Sequence, residues 1–203
     1  MVPKAYASQR AHGGDQAGPR SSVRLVRNRK DVSRALIDVQ GFFKNNAFVL
    51  KTIAVCRLPS DHHQQQPRIE VYTFRPPCFE SELNRRDATT QRWLERHHHR
   101  SPWKSGDLNY ATRYDVIRRV LHGVQQIYVK GGQKSEWLQP YAGSCEVVDL
   151  ETLGCPSLQQ CVSDLLQRYS DDVWTLVFSQ QQDFATRNVL ALFNWIRERE
   201  KVL

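Results

Sequence analysis

The stretch Ala35-Leu36-Ile37-Asp38-Val39-Gln40-Gly41-Phe42 decides how the rest of the chain is read. Its apolar residues predict a buried strand. Residues two apart in a strand share a face, so Asp38 and Gln40 are expected side by side. Gly41 is expected to let the chain turn tightly into a second apolar run, Phe48 to Val55. An ionised carboxylate inside such a strand is costly unless it is paired, hydrogen-bonded or bound to a metal. Function therefore turns on the company Asp38 keeps.

Outward from that stretch, the pattern predicts strands over 34–39, 47–57 and 68–74, the last stopped by Pro76-Pro77. Short connections make these an antiparallel meander, and the linker Leu58 to Pro67, which contains Asp61 to Gln66, reads as an exposed hairpin loop. Helices follow over 79–99, with Leu83, Trp93 and Leu94 facing inward, and over 111–123. Strand 126–130, helix 134–141, strand 145–150 and helix 157–169 alternate. Residues 173–178 read as strand or loop, and a long amphipathic helix covers 184–202. The order predicts an α/β fold: a mixed five-stranded sheet, first a meander and then strand–helix alternation, flanked by helices.

The 203 residues fit one domain, expected over 31–203, preceded by an arm over 1–30. The arm is rich in Gly, Ser, Ala, Gln and Arg and reads as disordered. It holds seven basic residues against Asp15 alone, a net +6 of the chain's +8. Arg24, Arg27, Arg29 and Lys30 are its candidate nucleic-acid contacts. Such an arm suits phosphate or another acidic surface, or serves only to solubilise. Five irregularly spaced cysteines without a Cys-x-x-Cys argue against a disulfide framework. No run has the length of a membrane span, and the N-terminus lacks an apolar core of the secretory type. We expect an intracellular protein, in the cytoplasm or nucleus, with no membrane partner.

The strand carrying Asp-x-Gln, followed by this order of elements, resembles the ribonuclease-H-like fold in its DEDD exonuclease version. A more specific similarity is to uncharacterised arthropod and arthropod-virus proteins with this fold. It rests on Ile37 to Phe42, Ser105 to Tyr110, Tyr128 to Gly131 with Lys134 and Trp137, Val148 to Leu150 with Leu153 to Leu158, and Ala185 to Val189. The Maelstrom domain, which has lost those acids and carries a Glu-Cys-His-Cys zinc site, is similar more distantly.

The resemblance implies four acids holding two Mg²⁺ ions. Asp38 matches the first acid, but Gln40 stands in place of the second. Lys130 to Lys134 offers no third acid, and Asn188 replaces the last; Asp183, not His, lies five residues before it. An amide is a poor Mg²⁺ ligand. The region 178–184 has neither Cys nor His, so no zinc set is expected, and Cys155 and Cys161 read as buried structural thiols. Lys130 and Lys134 fall where this fold places its substrate groove. They are expected either to attract a nucleic-acid backbone or, in one case, to neutralise Asp38. Asp107 reads as a turn cap; with Asp38 and Asp149 it is a candidate for a non-standard metal site.

His97-His98-His99, with Arg96 and Arg100, is a candidate metal or phosphate site. Three adjacent His residues on a helix point in different directions and cannot all bind one ion. The run therefore reads as a polar helix end, with phosphate contact as the alternative. Tyr72, Phe74, Trp93, Trp103 and Trp137 are candidate stacking platforms, Trp103 standing out because it falls in a loop. The expected function is an exonuclease-like domain without its acids that binds nucleic acid, RNA first, or a protein. The alternatives are a nuclease with a rearranged site needing Mg²⁺ or Mn²⁺, and a purely structural domain. The first reading expects no cofactor.

Overall fold

A computed structural model describes residues 32–59, 67–168 and 184–202. The basic arm, the 61–66 loop, the 173–178 segment and Asp183 lie outside the described residues. Five strands form one sheet: β1 (Arg34–Lys44), β2 (Ala47–Leu58), β3 (Ile69–Thr73), β4 (Gln126–Val129) and β5 (Glu146–Asp149). Their order is β3-β2-β1-β4-β5. The β1–β2 and β2–β3 pairs are antiparallel, and β1–β4 and β4–β5 are parallel. This is the expected mixed sheet, with the ribonuclease-H-like layout. The helices are α1 (Arg85–Leu94), α2 (Arg113–Leu121), α3 (Gly132–Ala142), α4 (Leu158–Arg168) and α5 (Phe184–Val202). None of them is long and apolar enough to cross a membrane.

Strand alternation sorts β1 between two cores. Ala35, Ile37 and Val39 pack with Val116, Ile117 and Val120 of α2 and Leu138 of α3. Leu36 packs on the other face with Val189, Leu192 and Ile196 of α5 and Cys161 and Leu165 of α4. Asp38 and Gln40 continue the Leu36 row by the period of two, and so lie on the α5 face.

The turn is not at Gly41. β1 runs on to Lys44 and turns through Asn45 and Asn46, at φ 50° and 64°. Consecutive positive φ values suit the right-handed twist of a two-residue hairpin, and Asn tolerates them. Gly41 instead sits at a bulge, where the register shifts between Gln40 and Gly41 and Lys51 is the extra residue of β2. A Cβ at Gly41 would overlap the Val49 carbonyl and the Phe48 ring. Glycine is required there for close approach rather than for reversal.

The first helix also differs from its expectation. It begins at its cap, Asn84, whose side chain accepts from the Asp87 N–H. Its inward face is Asp87, Ala88 and Gln91, and Trp93 is 55% exposed. Asp87 faces inward because it accepts the Asn45 N–H at 2.7 Å and so fastens the hairpin turn. Trp103 is only 2% exposed and packs on Phe42 with centroids 5.3 Å apart, while its indole N–H donates to the Cys78 carbonyl. It therefore cannot serve as a stacking platform for bases, nor can the fully buried Phe74.

The bulge turns Lys51 into the interior, under the loop that carries Trp103. Its ammonium donates to the Trp103 carbonyl at 2.8 Å and to the Ser105 carbonyl. Burial pulls its pKa down to about 8, against a smaller opposing pull from Glu95. The unfolded chain then binds the more protons between pH 8 and about 10.5, so stability from this group rises with pH across that window. Relative to Lys51→Met, the wild-type protein should gain about 2 kcal/mol between pH 7 and pH 9.5. Urea unfolding of both proteins at the two pH values checks this; a constant difference would contradict it.

Candidate functional site

Asp38 is fully buried at the centre of the sheet. Pairing of β1 with β4 ends at Leu36 and Tyr128, so β1 passes Asp38 with no strand beside it on that edge. Beyond Val129 the chain swings away through Gly131, at φ 101°, into α3. The first turn of α3 brings Lys134 into the gap, where its ammonium pairs with Asp38 Oδ1. Oδ2 accepts from Gln40 Nε2 at 2.7 Å and from Asn188 Nδ2 of α5 at 3.0 Å. The positions singled out in the sequence, Asp38, Gln40, Lys134 and Asn188, are thus one hydrogen-bonded group. The ion pair expected for Asp38 is made by Lys134.

Lys130 is elsewhere. It is 93% buried and donates to Glu151 Oε1 at 3.1 Å and to the Cys155 carbonyl at 3.2 Å. It is not available to a nucleic-acid backbone, which corrects its assignment as a contact. Strand alternation places it with the α4 core, where Cys155 and Cys161 lie with sulfurs 3.8 Å apart as free thiols. Asp107 is exposed; its backbone N–H bonds to the Thr73 carbonyl, and it has no part in the Asp38 group. Asp149 Oδ1 accepts the N–H groups of Gly131 and Glu151, each at 2.9 Å, and caps the turn after β5. The three acids therefore do not form a joint site.

The donor set does not fit a pair of divalent cations. Mg²⁺ sites need several converging oxygens, mostly carboxylate. Here both oxygens of the single acid are taken, one by an ammonium and one by two amide N–H groups. Among the described residues no three His, Cys, Asp or Glu side chains converge.

Around this closed centre lie groups that sequence spacing did not bring together. His98 lies in a single π-helical turn over Glu95–His99. Burial lowers its pKa, helped by the Lys134 charge and opposed by Asp38. His97 stacks on Trp93 instead, centroids 5.6 Å apart, so the His run is divided among different neighbours. Two residues beyond His98, Arg100 takes a left-handed φ of 51°. Its guanidinium lies 5.6 Å from the centre of the Phe184 ring, and that of Arg187 lies 3.9 Å from the same ring.

On the other side, α3 carries Lys134, Trp137 and Tyr141 at spacings that place them on one helix face. Trp137 packs against Phe48 at 5.3 Å and Tyr141 at 5.0 Å, and Tyr141 against Tyr114 of α2 at 6.0 Å. Arg113 lies over Tyr110 and Tyr114, 4.3 and 4.0 Å from the ring centres. Tyr114 is 48% exposed. Of this row only Trp137 had been singled out in the sequence. The 3.6-residue period of α2 and α3 would have shown Tyr114 and Tyr141 on helix faces, but not that those faces adjoin.

No protein-family model matches the chain, and no curated protein matches it.

Proposed function

We propose that the protein is a nucleic-acid-binding module, with single-stranded RNA as its ligand, built on an exonuclease-like sheet whose acid site has been replaced by an ion pair. One observation carries this reading. The aromatic row of Trp137, Tyr141 and Tyr114, with Arg113 over its outer end, adjoins the neutralised Asp38 group on the face of α3. Aromatic faces stack bases of any sequence, and arginine adds charge at the same place. The arm with its net +6 supplies the long-range attraction, through Arg24, Arg27, Arg29 and Lys30 among others. The chemistry at Asp38 favours binding over hydrolysis. Both oxygens of this acid already accept hydrogen bonds, from a lysine and from two amides, and its charge is neutralised, which makes it a poor ligand for a divalent metal.

The test is binding of a labelled single-stranded RNA by the full chain, across a salt titration. Affinity should fall steeply with salt, as counterion release requires. Tyr114→Ala, at an exposed position, should weaken binding about tenfold, the size of one lost base–aromatic stack. Absence of binding at low salt would end the nucleic-acid reading. Binding that ignores Tyr114→Ala would remove the row from it.

A further inference from the structure

Arg187 and Arg100 come from distant parts of the chain and meet over one ring, Phe184. Two guanidiniums so placed repel each other. Arg187 has its pKa lowered first by burial and then by the Arg100 charge. Clusters of this kind are ordinarily relieved by carboxylates. Among the described residues neither arginine has a salt-bridge or hydrogen-bond partner. Moreover, the Nε atom of Arg187 is buried with no acceptor, which costs about as much as a lost hydrogen bond to a charged group. The Phe184 ring, 3.9 Å from the Arg187 guanidinium, gives that group an aromatic surface to rest on. The neighbouring Asp38 cannot supply the missing charge, because Lys134 already neutralises it.

Among the described residues, two guanidiniums without a carboxylate partner and an Arg187 Nε–H without an acceptor describe a receptor for a compact dianion. A phosphomonoester carries close to two negative charges at neutral pH, while an internal phosphodiester carries one. Arginine also matches phosphate oxygens in a bidentate way that a lysine cannot. We propose that Arg100 and Arg187, seated on Phe184, form a site for a phosphomonoester, and that its source is the phosphorylated end of the bound RNA strand. This rests on the function proposed above, since it gives the bound strand an end point. A free mononucleotide presents the same group and is the other source.

The experiment compares one single-stranded RNA sequence carrying a 5′-phosphate, a 3′-phosphate or neither, bound to the full chain and to Arg100→Gln and Arg187→Gln. One phosphorylated end should bind about tenfold tighter than the unphosphorylated strand, the gain expected for charge-assisted hydrogen bonds. Each variant should reduce that advantage to within about twofold, and Arg187→Lys should restore only part of it because a lysine is not a fork. Equal binding of all three strands by the wild-type protein would overturn the site. So would variants that weaken the three strands equally, because the arginines would then be ordinary backbone contacts. A thermal melt with adenosine monophosphate and with adenosine separates this result from failure of the RNA reading. If no strand binds but the monophosphate alone raises the melting temperature, and only when Arg187 is present, the site stands with a free nucleotide as its ligand. If neither strand nor monophosphate has an effect, both readings fall.

Discussion

Lys134→Met should destabilise the fold by about 3 kcal/mol, measured by urea unfolding at pH 7. The substitution leaves the Asp38 carboxylate fully buried without its cation. Removing one partner of a buried pair costs about 3–5 kcal/mol. The low end applies because Gln40 and Asn188 still donate to Oδ2, and because Lys134 itself is 22% exposed. Asp38→Asn should cost less, about 1–2 kcal/mol, since the lysine can turn to water while one amide contact is kept. The double variant should then be more stable than the sum of the singles by about 2 kcal/mol. Additive effects would mean that the two side chains do not act on each other, and the interpretation of the centre as a structural ion pair would fail.

Trp103→Ala should cost a further class of stability, about 3–5 kcal/mol, as for other buried aromatic truncations. The indole fills the third cluster of the core, against Phe42 and Val49, at the end of the β1–β2 hairpin. Its loss also loosens the loop whose Trp103 and Ser105 carbonyls hold Lys51. Trp103→Phe keeps a ring there but gives up the hydrogen bond to the Cys78 carbonyl, a loss of about 1 kcal/mol. That milder variant should bind RNA as the wild-type protein does, because the indole is enclosed. A large loss of RNA affinity in Trp103→Phe, with stability unchanged, would return the residue to the binding surface.

Trp103 also shows why parts of the site could not be read from the sequence. It lies between Pro102 and Gly106, in a stretch with no period, and only the closure of that loop over the hairpin buries it. The strand with Asp38 was legible because alternation alone sets which residues share its face. The meander and the later strand–helix alternation followed from the spacing of the strands, whereas their order across the sheet came from the structure. Lys130 and Lys134 were equivalent candidates for Asp38 until the positive φ of Gly131 was known. That bend sends one lysine to Glu151 and the other, a helical turn later, to Asp38. Trp93 pointed the wrong way because the inward face of α1 is built from Asp87 and Gln91, polar residues that a hydrophobic pattern assigns to water. Arg100 was legible beside the His run as part of a candidate metal or phosphate site, but nothing in the spacing joined it to Arg187, 87 residues later.

Incubation of the full chain with an end-labelled single-stranded RNA, in Mg²⁺, in Mn²⁺ and in EDTA, tests the central claim most directly when binding and strand length are read from the same samples. A centre in which Lys134 and two amides hold Asp38 predicts a bound strand of unchanged length, with like affinity in all three at matched ionic strength. Shortening of the strand that needs the metal and disappears in Asp38→Ala would contradict it.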